Sequence, residues 1–292
     1  MTITKVYTKA EIERLYASLS AGKVCKTPPY ALFQIRMSDC VITAYESLKV
    51  VFQGEGAAFY SGVVEPQASK EETLTSTYPQ AGSDEVGTGD YFGPVVVCAA
   101  YVEKKDLELL STFHIQDSKQ IKDEDILKIA PVLIDTLKFS ILILNNTKYN
   151  QVHEHNNMNQ IKAKLHNQAF LNLKKKFNLQ LDTIYVDQFT PPKNYFRYLS
   201  GEADVVENIH FETKAESKYI SVACASIIAR YYFLNTLAKM SEKYDFPFPK
   251  GAGAHVDEAG RKFIDMYSEN ELLHVSKFHF ANTKKILNEE TL

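Results

Sequence analysis

Eight consecutive apolar residues, Val95 to Val102, follow directly on Gly93-Pro94. A valine-rich run of that length, bounded by turn residues, reads as a core strand. Such a strand requires partner strands and covering layers, and both are legible downstream. Phe139–Leu144 and Thr183–Val186 read as further strands. Between them Met158, Ile161, Leu165, Ala169 and Leu173 form one face of a helix, with Lys174, Lys175 and Lys176 in its last turn, where cations suit the helix dipole. The cleanest helical pattern is Ile220, Ala223, Cys224, Ile227, Ile228 and Tyr231. Asp125–Leu137 also reads as helical, with a kink or break expected at Pro131. The pattern predicts an α/β fold, a mixed sheet flanked by helices.

The first 70 residues differ. Ile12, Leu15, Tyr16 and Leu19 have helical spacing, and Tyr30–Arg36, Cys40–Tyr45 and Leu48–Phe52 are extended runs with short polar breaks. That is an antiparallel meander with a helix on one face, a small α+β domain. Gly62 to Gln80 holds Pro66, Pro79 and a polar run, and has no apolar period. The expected division is therefore a domain over 1–65, a linker over 66–80 and a larger domain over 81–292.

Charge at first opposes a nucleic-acid partner, because phosphate is contacted mostly by cations. The net charge is −3, from 33 Lys+Arg against 36 Asp+Glu. It is unevenly spread: residues 1–70 hold 8 Lys/Arg and 6 Asp/Glu, and the remainder 25 and 30. No apolar stretch reaches transmembrane length, and Met1 to Glu11 lacks the apolar core of a secretory signal. Cys25, Cys40, Cys98 and Cys224 are scattered, as reduced thiols are. The expectation is a cytoplasmic chain, with no membrane partner and a monomer as the default state.

Three acidic positions stand out. Asp84-Glu85 lies among Gly82, Gly87 and Gly89, directly before the core strand; a solvated turn is the plain alternative. Asp187 ends the run Thr183–Val186, where a carboxylate in an α/β sheet often faces a ligand crevice and where turn-forming aspartate is also common. Glu216 precedes the clean helix, a position that helix dipoles favour for any acid. Clustered carboxylates repel unless a cation neutralises them, and hard divalent ions with oxygen ligands do so. Adjacent strand residues point to opposite faces, so Asp84 and Glu85 share a site only if the backbone bulges or the strand begins there.

The segment Gly82-Ser83-Asp84-Glu85-Val86-Gly87-Thr88-Gly89-Asp90-Tyr91-Phe92-Gly93-Pro94 resembles the opening motif of the ribonuclease HIII family of bacterial type 2 ribonucleases H. Asp117-Ser118-Lys119, Tyr185-Val186-Asp187, Lys214-Ala215-Glu216 and Val222–Arg230 are similar to further motifs of that family, as are Pro249-Lys250-Gly251-Ala252 and Phe278–Thr283. The resemblance implies an RNase H-like domain that cleaves the RNA strand of RNA–DNA hybrids, leaving 5′-phosphate and 3′-hydroxyl ends. Asp84, Glu85, Asp187 and Glu216 would be its catalytic acids and hold Mg²⁺ or Mn²⁺, in a mechanism that uses two ions to activate water and stabilise the leaving oxygen. Glu216 stands where ribonuclease HII has Asp. Gly87, Thr88 and Gly89 would present backbone groups to a ribose 2′-hydroxyl. Thr88 departs from the cation of the HII motif.

Lys119 and Lys214 are candidate phosphate ligands, against ordinary surface lysine. The N-terminal part resembles the TATA-binding-protein-like domain of the same family. It implies a substrate-binding module, with Lys23, Arg36 and Lys49 as candidate phosphate contacts, against an ordinary solvated sheet edge. Two alternatives stand beside this: a ribonuclease HII-like enzyme cutting at single embedded ribonucleotides, and a non-catalytic hybrid-binding protein. His153 and His155 lack zinc-ligand company and read as an exposed loop. The glycines of 87–93 lack the Lys-Ser/Thr of a P-loop.

Overall fold

The computed structural model describes residues 1–19, 22–62, 77–113, 115 and 121–287. The chain forms two compact units, Met1–Thr75 and Ser76–Leu292.

In the first unit β1 (Thr2–Val6) is followed by α1 (Lys9–Ser18), β2 (Lys23–Val24), β3 (Ala31–Arg36), β4 (Cys40–Tyr45), β5 (Lys49–Gly54) and α2 (Ala57–Tyr60). The sheet order is β1-β5-β4-β3-β2, antiparallel throughout. Thr8 starts α1 with a capping box, its hydroxyl accepting from Glu11 N while the Glu11 carboxylate accepts from Thr8 N. Phe33, Ile35, Ile42, Ala44, Val50 and Phe52 bury one face of the sheet together with Ile12 and Leu19. Lys23, Arg36 and Lys49 are exposed; Lys23 and Arg36 are register partners.

The second unit comprises β6 (Gln80–Val86), β7 (Val95–Val102), α3 (Leu107–Ser111), α4 (Asp123–Thr136), β8 (Lys138–Leu144), α5 (Asn146–His153), α6 (Met158–Phe177), β9 (Ile184–Asp187), α7 (Pro192–Tyr198), β10 (Ile209–Glu212), α8 (Ile220–Lys243), α9 (Ala254–Met266), α10 (Glu269–Val275) and α11 (Ala281–Ile286). Its sheet runs β10-β9-β6-β7-β8, with β10, β9 and β6 parallel and the other two pairings antiparallel.

All of β7 is buried, and alternation sends its residues to two cores. Val96, Cys98, Ala100 and Val102 pack with α4 and α8; Val95, Val97 and Ala99 pack with Ile161, Ala169, Phe170 and Leu173 of α6. This is why the run contains no polar residue. Each large side chain so buried contributes roughly 1.5–3 kcal/mol.

Helix α8 lies directly on β6. A Cβ on Gly82 would sit 2.5 Å from both Ser221 Oγ and Val222 N, so the approach requires glycine. Pro131 does not break α4, which runs unbroken from Asp123 to Thr136. The carbonyl deprived of its partner belongs to Leu127, an exposed residue where water can replace the missing N–H.

Candidate active site

The parallel pairing of β6 and β9 ends at Ser83 opposite Val186, and the next residue on each strand is an acid, Asp84 and Asp187. Asp84 is buried and aligned with Cys98, so it lies on the α8 side of the sheet. Its Oδ1 accepts from Glu85 N at 2.8 Å, and Ser226 of α8 hydrogen-bonds the carboxylate. Burial pushes Asp84 well above the usual carboxylate range; the charges of Glu85 and Asp187 push the same way, and Ser226 opposes them.

Asp187 ties down the third acidic segment. Its Oδ1 accepts from Ala215 N at 3.1 Å. Ala215–Ser217 is a single 3-10 turn entered through Lys214, whose left-handed φ of 56° reverses the chain. Glu216, at the centre of that turn, is buried, whereas Lys214 is exposed.

Glu85 faces the other way. It is aligned with Val97, on the α6 side, because β6 continues in regular register to Val86. The Asp84-Glu85 pair therefore involves neither a bulge nor a strand start. Both oxygens of Glu85 are engaged by α6: Lys162 Nζ forms an ion pair with Oε1, and His166 Nε2 lies 2.9 Å from Oε2. Ser83 Oγ is 2.6 Å from His166 Nδ1. A hydroxyl donating to Nδ1 fixes the tautomer in which Nε2–H donates to Glu85. Phe189 closes the group, its ring centre 4.0 Å from Lys162 Nζ and stacked on His166 at 5.4 Å. Burial alone would raise Glu85, but Lys162 and His166 outweigh it and hold the carboxyl well below its ordinary range.

Neither Lys162 nor His166 stands out in the sequence, where the apolar stripe and the terminal lysines of this helix dominate. The available signal was a Lys and a His one turn apart between buried positions. His153, expected in a loop, ends α5 and stacks on His279 at 3.8 Å.

The glycine segment is held from below. Gly87 has φ +94°, and a Cβ there would lie 2.2 Å from Pro94 O, so only glycine fits. Thr88 is half-buried; Gly89 is exposed, with open space where a Cβ would stand. Asp90 Oδ1 accepts from Gly251 N at 2.6 Å, and Tyr91 N donates to Gly251 O. Lys277 is fully buried and donates to Asp90 O at 2.8 Å and Gly93 O at 2.5 Å. Burial brings its ammonium down to about 7. Lys277, too, went unremarked in the sequence. Lys119 lies outside the described residues.

The donor set suits a hard divalent cation: carboxylate oxygens that repel one another at a buried strand end. Among the described residues, no group of three or more His, Cys, Asp and Glu side chains converges as it stands to hold an ion. The committed oxygens account for this, since Glu85 is turned to Lys162 and His166 and Asp187 Oδ1 to Ala215 N. The chemistry of these donors fits a divalent metal.

Known proteins carry the same architecture. The model of the Ribonuclease HII family matches residues 81–283, and that of a domain of unknown function (DUF3378) matches residues 2–77. A ribonuclease HIII of Bacillus pumilus is 42% identical over 294 residues, covering 95% of this chain and 96% of the relative. The chain belongs to the ribonuclease HIII family. Ribonuclease HIII of Bacillus subtilis is also 42% identical, over 97% of this chain and 96% of its own length. Among solved structures, Bst-RNase HIII in complex with Mn²⁺ is 37% identical, with a TM-score of 0.72 over 99% of this chain and 98% of that one. The sheet of the second unit, covered by α6 on one face and α4 and α8 on the other, is the RNase H-like fold of these ribonuclease HIII structures, and the chain is an enzyme of the ribonuclease H class.

Proposed function

We propose that the chain hydrolyses the RNA strand of RNA–DNA hybrids with Mg²⁺ or Mn²⁺, leaving 5′-phosphate and 3′-hydroxyl ends. One observation carries the reading: β6 and β9 run side by side to two acids, Asp84 and Asp187, and Asp187 Oδ1 accepts from Ala215 N next to Glu216, so acids from three segments stand near one end of the sheet. Asp84, Glu85, Asp187 and Glu216 hold the ions in this proposal. Held there, divalent ions would supply water activation and charge neutralisation at the scissile phosphate. The Mn²⁺ complex of the related Bst-RNase HIII supports that choice of metal.

The chain's own groups position the substrate. Gly87, Thr88 and Gly89 offer backbone groups to a ribose 2′-hydroxyl, and the open space at Gly89 admits a close approach. Exposed Lys214, together with Lys119, contacts phosphate. Residues 1–65 act as a TATA-binding-protein-like substrate module, with exposed Lys23, Arg36 and Lys49 at its phosphate contacts. In this proposal 66–80 connects the two units, its last residue Gln80 already opening β6, 81–292 is the catalytic domain, and the enzyme is a cytoplasmic monomer.

Cleavage of a labelled hybrid with Mg²⁺, with Mn²⁺ and with chelator tests the proposal. The expected result is cutting in either metal and none in chelator. Metal-independent cutting, or binding without cutting, would defeat it. A duplex with one embedded ribonucleotide set against one with a run of four separates the two type 2 specificities. Preference for the run is expected, and efficient cutting at the single ribonucleotide would assign an HII-like activity.

A further inference from the structure

Lys162 is a cation enclosed in the acidic end of the sheet. It is 8% exposed, and its ammonium sits between the Glu85 carboxylate and the face of the Phe189 ring. His166, one turn on and wholly buried, takes the second Glu85 oxygen and is itself fixed by Ser83. Across the strand, among the described residues, the hydrogen bonds to Asp84 come from the Glu85 N–H and the Ser226 hydroxyl, which carry no net charge. Compensating positive charge is thus supplied on the α6 side, at the oxygen a divalent ion would have to reach.

We infer that Lys162 is the built-in counter-cation of the acid cluster and competes with divalent metal for Glu85, setting how tightly the enzyme loads its metal. The inference rests on the four acids being the metal site. A divalent ion arriving at Glu85 meets a like charge fixed in a water-poor pocket, where charges are weakly screened. Loading therefore requires Lys162 to leave Oε1 or to share it. Without metal, the same ion pair spares the largely enclosed Glu85 an uncompensated charge. Lys162 touches no reacting atom in this account and acts through Glu85, as a positioning residue.

The test is isothermal titration of Mn²⁺ into the full-length protein without nucleic acid, with melting curves in chelator and in Mn²⁺. Lys162→Met is expected to bind Mn²⁺ about tenfold more tightly than wild type, since a like charge is gone from low-dielectric surroundings. It should also melt lower in chelator and gain more from added Mn²⁺. Lys162→Gln, which keeps a donor for Oε1, provides the same comparison if the Met variant does not fold. Lys162→Arg keeps the charge and should stay within about twofold of wild type. Unchanged or weaker binding in the uncharged variants, or equal tightening in the Arg variant, would overturn the inference. Asp187→Asn distinguishes the two levels. If wild type binds no Mn²⁺, or Asp187→Asn binds it as well as wild type, the metal-site reading fails and the Lys162 role with it. If Asp187→Asn loses binding and Lys162→Met matches wild type, only the Lys162 role fails.

Discussion

Asp84 and Glu85 are neighbours in the chain whose side chains leave β6 on opposite faces, one toward Ser226 of α8 and the other toward Lys162 and His166 of α6. Strand alternation dictates this, and it gives the two acids opposite electrostatics. Asp84 is raised by burial and like charges, whereas Glu85 is lowered because cationic and hydrogen-bonding partners outweigh its burial. Both stand near the end of the sheet, where the pairing of β6 with β9 stops and β9 ends at Asp187.

The raised Asp84 predicts how metal-free protein responds to pH. Between the ordinary aspartate range and the raised value, the native state holds a proton that the unfolded chain has lost. Stability in chelator therefore falls as pH rises through that interval. Asp84→Asn should flatten the decline, and denaturant melts at a series of pH values measure it. An equally steep decline in the variant would show that Asp84 is not its source.

Gly87 and Gly89 should respond differently to alanine. At Gly87 both the positive φ and the Pro94 carbonyl oppose a side chain, so Gly87→Ala should cost about 1–3 kcal/mol of stability in urea melts. At Gly89 nothing stands within 4 Å of the added Cβ, and Gly89→Ala should change stability by less than about 0.5 kcal/mol. Its expected effect is a raised KM for hybrid, read in steady-state cleavage. An unaltered KM would remove Gly89 from the substrate surface.

Lys277 links stability to pH with the opposite sign. Its native value of about 7 lies far below that of an exposed lysine, so the unfolded chain binds the extra proton and stability rises with pH above about 7. A neutral amine still has donors for both Asp90 O and Gly93 O. Lys277→Met should abolish that rise. It should also lower stability by about 1–3 kcal/mol, because the Asp90 carbonyl loses a buried donor. Gly93 O keeps Asn146 Nδ2 at 2.9 Å.

Strong local periodicity made much of the fold legible. The apolar run of β7, the apolar face of α8 and the stripe of α6 each signal an element without reference to the rest. Strands β1 and β2 were not legible, because Thr2–Val6 and the two residues Lys23–Val24 exist through pairing with distant β5 and β3. Of the kink or break that Pro131 suggests, the break is absent: α4 continues through it, and the carbonyl it frees belongs to exposed Leu127. At the site, Asp84, Glu85, Asp187 and Glu216 stood out as acids beside glycine, at a strand end and before a helix. Lys162, His166 and Lys277 did not, since a buried cation is recognisable only once its partner is known to lie opposite.

The central claim is that the acids at the ends of β6 and β9 carry metal-dependent cleavage. Single-turnover cutting of a labelled RNA–DNA hybrid by wild type and Asp187→Asn, with hybrid binding measured in parallel, tests it most directly. The variant is expected to bind hybrid within a few-fold of wild type and to lose cleavage by at least about a thousandfold in both Mg²⁺ and Mn²⁺. Near-wild-type cleavage by Asp187→Asn would contradict it.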